Sequence, residues 1–313
     1  MKTIFIKNIN LGEFIDDIFF LSERKISQKK DGNNYATLTL SDKTGNIKGV
    51  IWENSETILN GINAGSVVNV KGSVSEYSGS LQIIVKSLEK IPIESANPYD
   101  YLPVTNKNID GMFERILKLI GTIQNEYLSK LLNSFFSNHD FASKFKTAPA
   151  AKKMHHAYLG GLLEHSLSTA MLVDKIGVHY NGIDRDLLLT GAILHDIGKV
   201  REFEYKFNID YSDEGRLLSH IVIGLEIVSD KIKEIQNFPS ELATKLKHLI
   251  ISHHGHKEFG SPEPPKTLEA LLLYYLDEID SKINGVREFI ASEDSNEKWT
   301  SYHRLMDRYF YKK

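Results

Sequence analysis

The chain has 313 residues, of which 41% are hydrophobic and 25% charged, and its formal net charge at pH 7 is −3. This length is typical of two domains, and the composition is typical of a folded globular protein. The near balance of charge excludes a protein that coats nucleic acid through overall positive charge, although a local groove or bound cations can still attract a polyanion. Because the chain has no cysteine, thiolate sites are excluded, and any metal must be bound by His and carboxylate groups.

Neither a membrane segment nor a secretion signal is expected. No stretch of the sequence approaches ~18 uninterrupted apolar residues, the length needed to span a bilayer. The apolar stretch at the N-terminus ends at Lys7 and Asn8, which is too short for the apolar core of a signal peptide. We therefore expect a cytoplasmic protein.

The pattern of residues 1–90 predicts β-strands. In the segment 35–40, apolar Ala36, Leu38 and Leu40 alternate with polar residues, and turn-forming residues and a second apolar stretch follow. The strands are predicted within 14–27 and at 35–40, 47–52, 66–77 and 81–91, with a short helix between the third and fourth. Five strands with a helix in this place predict an OB-fold β-barrel.

The remainder of the chain is predicted to be helical. The segment 91–108 is expected to be a linker, since three of the eight prolines lie between 91 and 105. From Met112 onward the apolar residues recur with helical period. Helices are predicted at about 157–178, 185–197, 217–235, 240–253 and 267–290. The predicted fold class is therefore α+β multidomain: an OB-fold at 1–90 and an all-α helical bundle at 109–313.

A His-Asp pair ends one of the apolar helical stretches. His195 and Asp196 follow the segment DLLLTGAIL and precede Gly198 and Lys199. An unpaired carboxylate buried at this position would be costly, and a bound cation removes that cost. The alternative is an ordinary helix C-terminus, at which Gly198 caps the helix and Lys199 complements its dipole.

Further polar residues are embedded in neighbouring apolar helical stretches. A single histidine of this kind is more often a core residue than a metal ligand. Several of them on adjacent helices of one bundle point instead to a shared metal site of imidazole and carboxylate ligands. Such ligands suit Mn²⁺, Fe²⁺, Co²⁺, Ni²⁺ or Zn²⁺. The residues are His165, His220, His253, His254, Asp277 and Asp280.

The order His165, His195-Asp196, Asp277 resembles the signature of the HD phosphohydrolase superfamily. The segments HHAYLGGLLEHS, GAILHDIGK and SHIVIG, and the stretch from SHHGHKEF to Asp280, stand behind the predicted OB-fold. Together they resemble the YhaM family of bacterial 3′-to-5′ exoribonucleases. The resemblance covers essentially the whole chain and implies an HD domain at 109–313 that hydrolyses phosphodiester bonds.

The resemblance also implies roles for individual residues. His165, His195, Asp196 and Asp277 would hold one divalent ion, with Mn²⁺ the first expectation. Asp196 would bridge to a second ion held by His220 and by His253 or His254. The two-metal relatives often carry a carboxylate where this chain has Gly161, so one ion or two are both open. Lys199 resembles a lysine that meets the substrate phosphate; its dipole role is the alternative.

The predicted OB-fold suggests how a polymer would reach the metal site, because such domains bind single strands by aromatic stacking and positive charge. The candidate substrate-binding residues are Tyr35, Trp52, Tyr77, His155 and His156. Residues 1–90 carry eleven basic and ten acidic side chains, so charge does not independently support nucleic-acid binding. In the alternatives, Trp52 is a core residue and His155 and His156 only shape a loop. The segment 256–266 is expected to be a lid or wall of the cleft.

Three functions remain open from the sequence alone. The leading hypothesis is a 3′-to-5′ exonuclease that acts on single-stranded RNA, with DNA as a further substrate. The second is hydrolysis of a small nucleotide, and the third is an accessory factor that binds single strands without catalysis. A homo-oligomer is compatible with all three.

Overall fold

The structure is a computed structural model, and it describes residues 2–29, 32–152, 156–293 and 297–312. The chain forms two compact units. The first comprises Met1–Val104 and Tyr205–Ile209, and the second comprises Thr105–Glu204 and Asp210–Lys313. No helix in these described ranges is both long and apolar enough to cross a membrane.

The first unit contains a closed five-stranded barrel in the order β1-β2-β3-β5-β4. Its strands are β1 (Phe14–Gln28), β2 (Asn34–Asp42), β3 (Gly45–Ile51), β4 (Ser66–Tyr77) and β5 (Ser80–Ile91), and helix α1 (Ser55–Ile58) precedes β4. Neighbouring strands are antiparallel except β3 and β5, which are parallel. Five strands in this arrangement form an OB-fold, so the predicted fold is confirmed for this unit.

Alternation along the strands places the core of the barrel. Ala36, Leu38 and Leu40 on β2 are at most 2% exposed and pack with buried residues of the other strands. Each fully buried leucine contributes roughly 1.5–3 kcal/mol, so the apolar face fixes the register of the strands. Residues up to Val104 belong to this unit, and Tyr101 and Leu102, within the segment expected to be a linker, are buried.

The second unit is mostly helical, as predicted. Its helices are α2 (Ile109–Ile120), α3 (Glu126–Phe136), α4 (His139–Thr147), α5 (Gly161–Ile176), α6 (Arg185–Leu194), α7 (Lys199–Glu202), α8 (Asp213–Glu234), α9 (Ser240–Ser252) and α10 (Leu268–Ala291). A short hairpin, β6 (Phe203–Tyr205) and β7 (Ile209–Tyr211), interrupts them and was not predicted. Helix α6 is buried from Leu187 to Leu194, so it lies at the centre of the bundle. The chain leaves this helix directly into His195 and Asp196.

Candidate metal centre

Three helices bring a first group of polar side chains together. His165 lies on α5, His195 follows α6, and Asp277 lies on α10. The Nε2 atom of His165 is 3.1 Å from Nε2 of His195 and 3.0 Å from Oδ1 of Asp277. Asp196 Oδ2 is 3.5 Å from each of these two Nε2 atoms. Both imidazoles are at most 2% exposed, so the group is shielded from bulk water.

A second group lies on the other side of Asp196. Nε2 of His220 on α8 is 3.3 Å from Nε2 of His254, which follows α9. Asp196 Oδ1 is 3.5 Å from Nε2 of His220 and 3.6 Å from Nε2 of His253. The two oxygens of one carboxylate therefore face two different groups of histidines.

The hydrogen bonds of the Nδ1 atoms fix how the five imidazoles are oriented. Nδ1 of His195, His253 and His254 donates to the backbone carbonyl of Ala192, Ile250 and Phe259, respectively. Nδ1 of His165 donates to Asp280, and Nδ1 of His220 donates to Glu202. Because a carbonyl or carboxylate oxygen accepts here, Nδ1 carries the proton, and the neutral ring presents a lone pair at Nε2.

Lone pairs on neighbouring rings therefore face each other. The Nε2 pairs of His165 and His195, at 3.1 Å, and of His220 and His254, at 3.3 Å, repel each other when both nitrogens are bare acceptors. A proton or a cation between the two nitrogens removes the repulsion. Imidazole nitrogens together with carboxylate oxygens are the ligands of divalent transition metals, so both groups are compatible with metal binding.

The backbone is shaped to bring His220 into the second group. Ser219 has φ 60° and ψ 161°, which breaks α8 immediately before His220. A left-handed φ at a serine is uncommon, and such conformations concentrate at functional sites. A Cβ atom at Gly198 would lie 2.0 Å from the carbonyl oxygen of His220, so only glycine allows this approach. Gly198 has φ −62° and is not the left-handed helix cap of the alternative interpretation.

Gly161 is the position at which the resemblance suggested a further carboxylate. A Cβ atom at this position would lie 2.1 Å from the backbone oxygen of His156, so no side chain fits. Glu164, the residue before His165, binds Thr105 and Lys107 instead. The histidines of the second group lie on α8 and at the end of α9.

Burial and neighbouring charge set the protonation states. Burial acts to raise the pKa of Asp196, but Lys199 and His195 outweigh it and hold that pKa well below the usual range. Burial lowers the pKa of His220 and His253, and it lowers that of His254 to about 4. For His165, burial is outweighed by hydrogen bonds to Asp277 and Asp280, which raise its pKa to about 10.

Lys199 lies beside the same carboxylate. Its Nζ is 2.6 Å from Asp196 Oδ2, and its side chain is 13% exposed. Burial acts to lower the pKa of Lys199, but Asp196 raises it above the usual value, so the ammonium stays charged. A pocket opens over Asp196 and Lys199, and its walls include Lys152, Tyr211 and Phe259. Phe259 lies in the segment expected to form a lid or wall.

The aromatic candidates of the barrel lie on its surface. Tyr35 and Trp52 stack with their ring centroids 5.6 Å apart and their planes at 21°. Trp52 is 44% exposed and is therefore not the core residue of the alternative interpretation. Nζ of Lys29 is 5.6 Å from the centroid of the Trp52 ring, and Nζ of Lys48 is 5.8 Å from that of the exposed Tyr77.

The two histidines expected to touch substrate differ in what the structure shows. His155 lies outside the described residues. His156 is 1% exposed, its Nδ1 is 2.8 Å from the hydroxyl of Tyr158, and its Nε2 is 3.5 Å from Asp280. His156 is therefore buried beside His165, and the centroids of the two rings are 5.7 Å apart.

Sequence reasoning missed one carboxylate of this centre and the partner of another. Glu202 was not considered, and Asp280 was counted among the metal-site residues but not recognised as the hydrogen-bond partner of His165. Their partners His165 and His220 are 115 and 18 residues away in sequence, so no local spacing connects them. The only available signal was the presence of acidic residues in otherwise apolar segments.

Comparisons with known proteins agree with this architecture. A model described as an HD domain matches residues 162–282, and one described as an OB-fold nucleic acid binding domain matches residues 24–91. The protein named 3′-5′ exoribonuclease YhaM from Bacillus subtilis (strain 168) is 32% identical over 303 residues, which are 96% of this chain and 96% of that protein. The chain belongs to the YhaM family.

Two other YhaM-family proteins show the same extent of similarity. The protein of that name from Geobacillus sp. (strain WCH70) is 31% identical over 98% of this chain and 94% of its own length. The one from Bacillus velezensis is 32% identical over 96% of both chains. The HD match contains every candidate metal ligand from His165 to Asp277, and the OB-fold match contains Tyr35, Trp52 and Tyr77.

Proposed function

We propose that this chain is a metal-dependent 3′-to-5′ exonuclease that hydrolyses the phosphodiester bonds of single-stranded RNA. The observation that carries the proposal is the pair of histidine groups on either side of the ionised Asp196, at the floor of an open pocket. The relatives are named 3′-5′ exoribonucleases, which supports the same activity.

The geometry favours two divalent ions. His165, His195, Asp277 and Oδ2 of Asp196 would hold the first ion. His220, His253, His254 and Oδ1 of Asp196 would hold the second. Both His253 and His254 therefore serve as ligands in this proposal. We use Mn²⁺ as the ion in the experiments below; the same imidazole and carboxylate ligands also suit Fe²⁺, Co²⁺, Ni²⁺ and Zn²⁺.

Bound divalent ions supply two things to phosphodiester hydrolysis: a water of lowered pKa and positive charge for the attacking and leaving oxygens. The protein holds the five imidazoles in place through their Nδ1 hydrogen bonds and keeps Asp196 ionised. The ammonium of Lys199, at the pocket floor, adds a positive charge for the substrate phosphate. Lys152 lines the same pocket, where its ammonium pairs with Asp210 at 2.6 Å.

The barrel would supply affinity for the strand. Tyr35 and Trp52 offer a stacked aromatic surface, and Lys29 and Lys48 lie beside exposed rings. Aromatic stacking accepts any base, and lysines neutralise the backbone, which is how OB-folds bind single strands. This combination fits a polymer better than a small nucleotide.

Proton release tests the assignment of His165. At pH 7 its raised pKa, about 10, keeps the ring protonated in the metal-free protein. The lowered pKa values of His220, His253 and His254 leave those rings neutral. We therefore expect Mn²⁺ binding at pH 7 to release about one proton per chain. Titration calorimetry in buffers of different ionisation enthalpy measures it. A His165→Ala chain should bind its remaining ion without releasing a proton. If that variant released as many protons as the parent, the assignment would be contradicted.

Substitution of Trp52 tests the barrel surface. We expect Trp52→Ala to weaken binding of single-stranded RNA by about 1–3 kcal/mol, because a stacked base loses its partner. Hydrolysis of a small chromogenic phosphodiester should not change, since that substrate has no single strand whose bases could stack on Trp52. Trp299→Ala is the matched control, because Trp299 is 56% exposed and belongs to the other unit. Equal losses on both substrates would assign Trp52 a structural role.

One assay tests the activity itself. Purified protein is incubated with 5′-labelled single-stranded RNA or DNA, with Mn²⁺ or with a chelator, and the products are separated by length. We expect a metal-dependent ladder that shortens from the 3′ end. Turnover of small nucleotides without a ladder would support the second function. Binding without turnover would support the accessory factor.

A further inference from the structure

We propose that Asp280 and Glu202 are positioning residues, one for each ion of the centre. Asp280 acts through His165 and Glu202 acts through His220, so that each carboxylate sets the metal affinity of its own site alone. This inference rests on the proposed two-ion centre. It concerns residues that contact the side of the imidazole facing away from the ions.

Asp280 is held rigidly behind the first group. It is 4% exposed, and its Oδ2 accepts the hydrogen bond of His165 Nδ1 at 2.9 Å. Its Oδ1 accepts hydrogen bonds from the Ser168 hydroxyl on α5 and, at 3.0 Å, from Asn284 Nδ2 on α10. The carboxylate is thereby fixed by the same two helices that carry His165 and Asp277. It contacts the ring nitrogen that does not face the group.

Glu202 lies behind the second group in the same way, and it also accepts a hydrogen bond from the backbone. It is 4% exposed, and its Oε1 accepts hydrogen bonds from both Nδ1 and the backbone N–H of His220, each at 2.9 Å. That backbone N–H follows Ser219, whose φ of 60° breaks the helix. Glu202 therefore fixes both the strained backbone and the ring that it directs towards Asp196.

These two histidines differ from the other three in the charge of their partners. His195, His253 and His254 donate to neutral backbone carbonyls, whereas His165 and His220 donate to carboxylates. A carboxylate raises the electron density of the imidazole and strengthens its bond to a metal; loss of such a partner typically costs 10–100-fold in affinity. Each ion site has one histidine of this kind.

The inference is tested by Mn²⁺ binding to the full chain, with free Mn²⁺ measured by electron paramagnetic resonance. Single-site backgrounds separate the two ions: His220→Ala retains the first site and His165→Ala retains the second. In the His220→Ala background, we expect Asp280→Ala to weaken the remaining site by about 10–100-fold and Glu202→Ala to leave it unchanged. In the His165→Ala background, we expect Glu202→Ala to weaken the remaining site by about 10–100-fold and Asp280→Ala to leave it unchanged.

The control is a buried carboxylate with a structural role on α10, the helix that carries Asp280. Glu269 on α10 is 9% exposed and accepts a hydrogen bond from the backbone N–H of Asp184. Glu269→Ala should lower the melting temperature without changing either Mn²⁺ affinity. Asp280→Asn and Glu202→Gln keep the shape and the hydrogen bond but lose the charge, so they should recover part of the affinity in folded protein.

The outcomes separate this inference from the proposed function. A parent chain that binds no Mn²⁺ overturns the metal centre and with it the function. A parent that binds Mn²⁺ normally while Asp280→Ala and Glu202→Ala bind equally well overturns the inference alone. So does a variant that weakens both sites to the same extent. A parent that binds a third ion, lost in Asp280→Ala, makes Asp280 a ligand rather than a positioning residue.

Discussion

Asp196→Asn is expected to abolish both metal binding and turnover while the chain remains folded. Each oxygen of Asp196 faces a different group of histidines, at 3.5–3.6 Å from their Nε2 atoms. An amide has the same shape but carries no charge, and its NH₂ group presents protons to one of the two groups. We expect Mn²⁺ content to fall from two ions towards none and RNA turnover to fall by at least about 10³-fold, as for residues on which a whole catalytic unit depends.

Asp186→Asn is the matched control for this variant. Asp186 lies on α6, the helix that leads to Asp196, and its carboxylate accepts the backbone N–H groups of Gln124 and Asn125. Its loss should lower the melting temperature and leave Mn²⁺ content and turnover per folded molecule at the parental level. Metal content by mass spectrometry, melting and RNA turnover are measured on the same samples. If the Asp196→Asn chain retained two ions and normal turnover, Asp196 would not be part of the metal centre.

The barrel could be predicted because its sequence pattern is local. Alternation in 35–40 placed Leu38 and Leu40 in the core, and both are buried. The turn residues between β2 and β3 fix the register that pairs Ala36 with Ile51. That register brings Tyr35 beside Trp52. Their proximity could not be predicted from the sequence of either strand alone.

The centre could be predicted in part, because polar residues in apolar helices are conspicuous. His195 and Asp196 stand out at the end of a helix that is buried from Leu187 onward. The sequence did not distinguish Asp277 from Asp280, which are three residues apart on one helix. Tertiary contacts make the difference: Asp277 lies 3.0 Å from His165 Nε2, and Asp280 lies behind the ring at Nδ1.

Glu202 and Ser219 lay beyond sequence reasoning for a related reason. The contact between Glu202 and His220 forms only after the chain turns through the β6–β7 hairpin, and that hairpin has no strong strand pattern. The left-handed φ of Ser219 lies within a stretch that otherwise reads as continuous helix. Local propensity favours helix there, and the tertiary position of His220 overrides it.

Lys199→Met is expected to lower RNA turnover by about 10²-fold, comparable to the loss of one charge-stabilising donor in other active sites. The ammonium lies at the floor of the pocket, 2.6 Å from Asp196 Oδ2 and 13% exposed. Methionine keeps the length and most of the volume of the side chain, so the pocket should retain its shape. Mn²⁺ content should stay near that of the parent, because Lys199 has no free lone pair while it is charged.

The salt dependence of RNA binding distinguishes contact with a phosphate from a purely structural role. Each phosphate neutralised on a single strand contributes a slope of roughly 0.7 in log K against log salt, so Lys199→Met should reduce the slope by about that amount. Lys146→Met is the control, because Lys146 also pairs with an aspartate, Asp110 at 2.9 Å, and its side chain is 30% exposed. If Lys199 served only the helix dipole, its loss would cost about 0.3–1 kcal/mol of stability and leave turnover per folded molecule unchanged. A less stable chain with parental turnover and slope would therefore exclude Lys199 from substrate binding, because a group that meets the scissile phosphate cannot be removed without changing the rate.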